Sequence, residues 1–437
     1  MSFTEAYNYL LSLSNLPRRE YMTDPRHCGI YLKRVRFFLD LIGNPEKKIP
    51  HYIHIAGTSG KGSTTAFIHN ILQTAGKHVG STYSPHPTII TERWKMGRRY
   101  MTKAEFIAIV AFLKSKLDQY IRTSPYDKLS FFELTEIIGF IWFAQKKAQW
   151  VVLETACGGR YDATNIIPHK DVAVITTIGL DHTELLGDTK EKIAYEKAGI
   201  IKKGCRVFTM EKNKKVLTVI EREARKRHAD LVLSARGIQN IVQKNNTVSF
   251  LYNGNTYFLP TVGAHQAYNA ALCVDVATYI GISVPHIQRG LSATQQPLRM
   301  EVVKQKPLII LDGAHNQDKM RTTVRAAQQL MQNKKKLHLI IGFSGDKQVR
   351  SMVHQLVSLK PATITCTRQT ANVFRKVASP DVLARQCKKL LPRATVECFL
   401  DPEDAWTFAQ TKLKKEDVLI VTGSIFLSGQ YRHQVDR

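Results

Sequence analysis

No two cysteines in this chain stand at C-x-x-C spacing, and no apolar run approaches the roughly 20 residues needed to cross a bilayer. The seven that are present (Cys28, Cys157, Cys205, Cys273, Cys366, Cys387 and Cys398) are scattered over 437 residues. That pattern excludes a disulfide framework and a zinc-finger-type site, and leaves reduced thiols that pack as small hydrophobes. The opening residues Met1-Ser2-Phe3-Thr4-Glu5-Ala6 show no basic stretch ahead of an apolar one, so no secretory leader is expected and a cytoplasmic protein is. Acidic residues are scarce, with 36 Asp and Glu against 63 Lys and Arg, which gives a net charge of +27. Three readings of that charge stay open: nucleic-acid binding, a field that gathers anionic substrates, and a generally basic solvated surface. No zinc-finger, basic-zipper or RNA-recognition signature accompanies it, and the densest patches, such as Lys334-Lys335-Lys336, are short. A nucleic-acid partner is therefore not expected.

What is there is an ordinary globular composition, 43% hydrophobic and 23% charged, in a chain long enough for two or three cores. Short apolar runs alternate with helical stretches up to about residue 210: His51–Ala56, Trp150–Glu154 and Val172–Ile178. Such alternation predicts a mostly parallel sheet covered on both faces. Thr247–Tyr252 and Thr256–Leu259 flank Asn253-Gly254-Asn255, which predicts a hairpin at the edge of the first domain. The rhythm breaks near Thr294–Pro297 and restarts with strands at Leu308–Leu311, Leu337–Ile341, Thr363–Thr365 and Val418–Val421. The predicted fold is α/β: an N-terminal domain with a mostly parallel sheet over residues 1–296, and a smaller, Rossmann-like C-terminal domain over 297–437. Ligands of such folds bind in the crevices beyond the carboxyl ends of the strands.

Gly57-Thr58-Ser59-Gly60-Lys61-Gly62-Ser63 follows the first strand and precedes a helix that is predicted to run from Ser63 to about Thr74. Its glycines let backbone N–H groups turn toward phosphate oxygens, the helix N-terminus adds a favourable dipole, and Lys61 reaches the terminal phosphates. Ser63 supplies a hydroxyl for phosphate or magnesium, although Gly62 interrupts the usual lysine-to-hydroxyl spacing. Glu154 ends a buried strand ahead of Gly158-Gly159-Arg160-Tyr161-Asp162-Ala163-Thr164-Asn165, where a carboxylate can hold a hard cation. His182 also follows a strand end and reads either as a structural histidine or as a ligand. Lys197 lies in a polar helix with Glu191 and Glu196 and, by its neighbours alone, reads as a surface lysine.

These segments, with Ser84-Pro85-His86, Thr91-Glu92-Arg93, Leu129–Glu133, Asp181–Gly187, Glu196–Ile200, Asp312–Asn316 and Val421–Ser424, resemble in order those of the folylpolyglutamate synthase and dihydrofolate synthase family of Mur ligases. The resemblance implies an ATP-dependent amide ligase that joins L-glutamate to dihydropteroate, to folates, or to both, through an acyl phosphate. It implies that residues 1–296 are a P-loop-type ATPase domain with ATP phosphates in the Gly57–Ser63 loop, Asn269 at the adenine and Arg299 and Asp312 as further nucleotide contacts. Ser84 and Glu154 match magnesium ligands, and His182 completes a second metal site with Lys197 in carbamylated form. Ser130 and Tyr161-Asp162-Ala163 match positions that line the pterin-bearing substrate, while His315 shares the Asp312 motif and counts with Lys61 and Lys197 among the catalytic candidates. Small molecules would be the only partners of a monomer. Two rivals stay open: another amino-acid ligase of the same superfamily acting on a non-folate carboxylate, and a nucleotide-dependent nucleic-acid-binding protein.

Overall fold

The computed structural model describes residues 1–15, 27–244, 246–331, 336–345, 349–372 and 376–435. Lys334 and Lys335 of the basic patch lie outside them. Two compact units divide the chain: Met1–Ile238 with Tyr268–Thr294, and Gln239–Ala267 with Gln295–Arg437.

In the first unit the strands are β1 (His51–Ala56), β2 (Val79–Thr82), β3 (Trp94–Met96), β4 (Arg99–Tyr100), β5 (Trp150–Glu154), β6 (Val172–Ile175), β7 (Arg206–Thr209) and β8 (Asp230–Leu233). They form one eight-stranded sheet in the order β4-β3-β2-β5-β1-β6-β7-β8. From β2 to β8 every pairing is parallel, and only β3 and β4 run antiparallel at one edge. β1 is mostly apolar because both its faces are covered, and Tyr52, Ile53, Ile55 and Ala56 are fully buried. Val35, Phe38, Trp94, Phe106, Leu134 and Trp142 build one core layer, and Ala173, Ile175, Ile193, Val207 and Ile220 build another. The run expected to be strand as far as Ile178 leaves the sheet after Ile175. Thr176 and Thr177 turn instead to bond the loop that follows β1.

The helix Phe131–Gln145 is apolar on almost every face and correspondingly buried. Its start is fixed by a capping box: Glu133 N donates to Ser130 Oγ at 3.2 Å, and Ser130 N donates to Glu133 Oε2 at 2.6 Å. The same Glu133 accepts Arg34 Nε at 2.8 Å through Oε1, and Arg34 Nη1 reaches Asp127 at 2.9 Å. Arg34, on the helix Ile30–Leu41, is fully buried, so this triad sets where the N-terminus of the capped helix can sit.

The second unit holds β9 (Gln239–Lys244), β10 (Thr247–Tyr252), β11 (Asn255–Leu259), β12 (Glu301–Gln305), β13 (Leu308–Leu311), β14 (Leu337–Ile341), β15 (Thr363–Cys366), β16 (Thr395–Cys398) and β17 (Val418–Thr422). The last six form a sheet in the order β12-β13-β17-β14-β15-β16, parallel except for β12 at its edge. The predicted hairpin is present, with Asn253 and Gly254 both at positive φ (+48° and +73°) as a tight primed turn requires. Its place is different from the expected edge of the first domain. It pairs with β9 in a separate antiparallel sheet, and the edges of the large sheet are taken by β4 and β8. Val248, Phe250, Tyr252, Tyr257 and Leu259 give that small sheet one buried face of its own, which the alternating pattern reports without naming its neighbour. Among the described residues no helix is long and apolar enough to cross a membrane.

Replacing Arg34 with Met is expected to destabilise the protein by about 3–5 kcal/mol, because Glu133 is left as a buried charge without its partner. Urea unfolding followed by circular dichroism measures it, and a change below about 1 kcal/mol would count against the triad.

Candidate nucleotide and acceptor site

Three neighbouring strand ends make the floor of the site: Gly57 follows β1, Glu154 ends β5, and Thr176 follows β6. The helix after the glycine loop begins at Lys61, two residues earlier than the sequence pattern suggests, and runs to Thr74. The loop is clasped from β6. Thr58 N donates to Thr177 O at 2.8 Å, Thr176 Oγ1 donates to Ser59 O at 2.7 Å, and Thr58 Oγ1 bridges the N–H and C=O of Gly179 at 3.0 Å each. Gly60 sits at φ +91°, and a Cβ there would lie 2.5 Å from Asn269 Oδ1, so Asn269 abuts the loop directly. Lys61 folds back, its Nζ donating to Gly57 O at 2.9 Å, and Ser63 is buried in the first turn beyond Gly62.

On the other flank of β1, Ser84 N donates to Glu154 Oε2 at 3.2 Å and Glu154 N donates to Thr82 Oγ1 at 3.1 Å, which ties the ends of β2 and β5 together. Lys197 is not a surface lysine. It lies 4% exposed on the helix Lys190–Ala198. Burial pulls its ammonium down to about 7, with Lys61 acting in the same direction and Cys157, Asp181 and Asp162 opposing. The close packing behind it needs Gly159, where a Cβ would stand 3.1 Å from the carbonyl oxygens of both Glu196 and Lys197. His182 is exposed, in left-handed backbone (φ +50°), at the start of the short helix Thr183–Leu186. Among the described residues no group of three His, Cys, Asp or Glu side chains gathers as a metal site. The donors that do adjoin, Ser84 and the carboxylate of Glu154, are hard oxygen groups of the kind that suits Mg²⁺.

The acceptor candidates are held by their own loops. Ser130 caps its helix through the box described above. Asp162 accepts four bonds: Ala156 N (2.9 Å) and Cys157 N (3.0 Å) at Oδ2, and Thr164 N (3.0 Å) and Thr164 Oγ1 (2.5 Å) at Oδ1. Its carboxylate is thus the clamp that shapes the turn carrying Tyr161 and Ala163. Behind it Thr164 meets His54 Nε2 at 2.7 Å, and buried Lys170 donates to His54 Nδ1 at 2.5 Å.

In the second unit Asp312 plays a similar part. Its Oδ1 accepts Ala314 N (3.1 Å), Thr323 Oγ1 (2.7 Å) and Thr422 Oγ1 (3.2 Å), and its Oδ2 accepts Met300 N (3.1 Å). Arg299 is presented between Leu298 and Met300, both at positive φ (+56° and +51°), a conformation that costs about 1–3 kcal/mol per residue and persists only where surroundings enforce it. Asp312 and the Gly313 N to Leu298 O bond (2.8 Å) supply that enforcement. His315 Nδ1 contacts Gly313 O at 2.8 Å, and Lys319 Nζ lies 3.1 Å from His315 Nε2. Residues that sequence reasoning passed over include Thr176 and Thr177, signalled only by two hydroxyls at a strand end, and Glu136, a buried carboxylate one turn beyond the capping Glu133 in a mostly apolar helix.

A parallel sheet with a clasped glycine loop on its central strand, followed by a second α/β unit that presents Arg299 between two residues in left-handed backbone, suits a nucleotide-dependent ligase. Comparison with known proteins agrees: residues 55–277 match the Mur ligase middle domain and residues 298–425 the Mur ligase glutamate ligase domain. The dihydrofolate synthase/folylpolyglutamate synthase of Bacillus subtilis is 31% identical over 92% of this chain and 94% of its own. Folylpolyglutamate synthase of Mycobacterium tuberculosis complexed with ADP superposes with a TM-score of 0.85 at 25% identity, over 99% of each chain. The bifunctional enzyme of Yersinia pestis complexed with AMPPNP and a Mn ion gives 0.82 at 28%, over 100% of this chain and 98% of its own. The chain belongs to the folylpolyglutamate synthase/dihydrofolate synthase family of Mur ligases, and it is an ATP-dependent ligase.

Gly60→Ala is expected to weaken ADP binding by at least about tenfold, since the new methyl meets both an unfavourable φ and the Asn269 amide. Titration calorimetry reads the loss. Equal affinity in wild type and Gly60→Ala would contradict the packing.

Proposed function

We propose that this ligase adds L-glutamate to dihydropteroate, to folates, or to both, with residues 1–296 forming the ATP-binding part and 297–437 the glutamate-ligase part. The observation that carries the reading is the meeting, at three adjacent strand ends, of a clasped phosphate loop, a carboxylate–serine pair and a buried lysine. A carboxylate is a poor acylating agent, because it offers no good leaving group. ATP phosphorylates it, and the amine of glutamate then attacks the acyl phosphate and expels phosphate. Backbone N–H groups of Gly57–Ser63 and the N-terminus of the helix Lys61–Thr74 orient the nucleotide phosphates, and Lys61 and Arg299 neutralise charge on the transferred phosphoryl group. Asn269, packed on the loop, is placed to meet the base. Ser84 and Glu154 would hold one Mg²⁺ ion, with His182 and carbamylated Lys197 at a second. The metal supplies charge neutralisation along the phosphates. Carbamylation adds CO₂ to the neutral Lys197 amine, forms an N–C bond and releases one proton, so a buried neutral amine becomes an anion. Ser130, Tyr161, Asp162 and Ala163 line the acceptor, with Asp162 acting through the turn it clamps, and His315 is placed by the Asp312 motif to assist glutamate. The protein works as a cytoplasmic monomer on small-molecule substrates.

Incubation with ATP, Mg²⁺, L-glutamate and either dihydropteroate or tetrahydrofolate is expected to give the amide product and ADP, resolved by liquid chromatography with mass detection. ATP turnover without amide from either acceptor would defeat the folate assignment. Lys197→Ala is expected to lower kcat by ~10–100-fold while the protein still binds ADP. ¹³C-bicarbonate is expected to label a carbamate carbonyl resonance in wild type that this variant lacks. Full activity in the variant would rule the carbamate out.

A further inference from the structure

Lys170, His54 and Thr164 are buried behind the Tyr161–Ala163 turn, and the proposed mechanism gives none of them a part. His54 lies within β1, Thr164 in the short helical turn Ala163–Ile166, and Lys170 just ahead of β6. His54 and Thr164 have no exposed surface, and Lys170 keeps 5%. The direction of each hydrogen bond follows from counting protons. Thr164 has one hydroxyl proton and gives it to Asp162 Oδ1 at 2.5 Å. Toward His54 Nε2, 2.7 Å away, its oxygen can then only accept, so Nε2 carries the ring proton. Burial holds His54 well below the ordinary imidazole range, with Lys170 and Lys202 acting in the same direction, so the ring is neutral and Nδ1 is bare. Nδ1 therefore accepts from Lys170 Nζ at 2.5 Å.

The same Nζ donates to Asn165 Oδ1 at 3.2 Å, which turns the amide so that Asn165 Nδ2 donates to Arg160 O (3.0 Å) and Gly199 O (3.1 Å). A neutral imidazole and a primary amide can each exchange their donor and acceptor ends, and a lysine that donates to both fixes both. Burial pulls the Lys170 ammonium well below its ordinary range, but even a neutral amine has two N–H groups, one for each acceptor. One branch ends on Asp162, whose other oxygen holds Ala156 N and Cys157 N just beyond Glu154. The other ends at Gly199, which closes the helix carrying Lys197. We propose that Lys170 is a positioning residue for the ligase reaction, acting through His54 and Thr164 on the acceptor turn and through Asn165 on the end of the helix Lys190–Ala198. The role rests on the assignment of Tyr161–Ala163 to the acceptor, whereas the His54 tautomer beneath it does not.

Two measurements test it. Nitrogen-15 NMR of ring-labelled histidine, with the His54 signals assigned by their loss in His54→Gln, is expected to show a protonated Nε2 and a bare Nδ1 in wild type. A protonated Nδ1 overturns the chain. In steady-state kinetics with dihydropteroate or tetrahydrofolate, Lys170→Met and Thr164→Val are expected to raise the KM for the acceptor about tenfold while holding ADP within about twofold by calorimetry. Thr164→Ser, which keeps the hydroxyl, is expected to stay within about threefold of wild type. Wild-type KM in both Lys170→Met and Thr164→Val overturns the positioning role and leaves a chain that only stabilises the fold. Should Lys170→Met fail to fold, seen as loss of ADP binding, the contrast between Thr164→Val and Thr164→Ser decides. Wild type that shows the expected tautomer but makes amide from neither acceptor overturns the acceptor assignment, and the positioning role with it.

Discussion

The grip of the β6 extension on the glycine loop is the constraint from which the rest of the site follows. A loop of alternating glycines has many conformations in solution, and one that binds phosphate must have few. Here the restriction comes from across the sheet: Thr177 O takes the N–H of Thr58, and Thr176 Oγ1 caps the carbonyl of Ser59. Asn269 then lies so close to Gly60 that no side chain fits between them. Because β1 lies between β5 and β6, the same geometry puts Glu154 beside the loop and orders both flanks at once.

A second theme is that the carboxylates of two site turns, Asp162 and Asp312, are spent on the protein itself. Asp162 holds the turn bearing Tyr161 and Ala163, and Asp312 holds the backbone on both sides of Arg299. A carboxylate with four partners of its own has little left to offer a ligand, and what it contributes is the position of its neighbours. Around Arg299 that contribution opposes real strain, since two non-glycine residues in left-handed backbone flank it.

Much of the fold was legible because parallel strands covered on both faces must be largely apolar, and β1, β5, β13, β14 and β17 are. The hairpin was legible from Asn253-Gly254, a turn that only such residues make cheaply. Its location was not, because alternation along Val248, Phe250 and Tyr252 shows that one face is buried and nothing about what buries it. The burial of Lys197 was illegible from its neighbours for a related reason. Its helix is polar overall, and the Gly159 turn that packs against the helix backbone lies far from it in the chain.

Local chemistry therefore settled within the sequence itself wherever adjacent residues suffice: the phosphate loop, the strand rhythm and the order of segments that marks the family. Only the tertiary structure decided which groups share a site. It set Thr176 against Ser59, Ser84 against Glu154, Lys197 within the reach of Lys61's charge, and Lys170 against His54. Those relations join residues far apart in the chain, and burial, which sets the protonation of Lys197 and His54, belongs to the packed molecule and to no single stretch of its sequence.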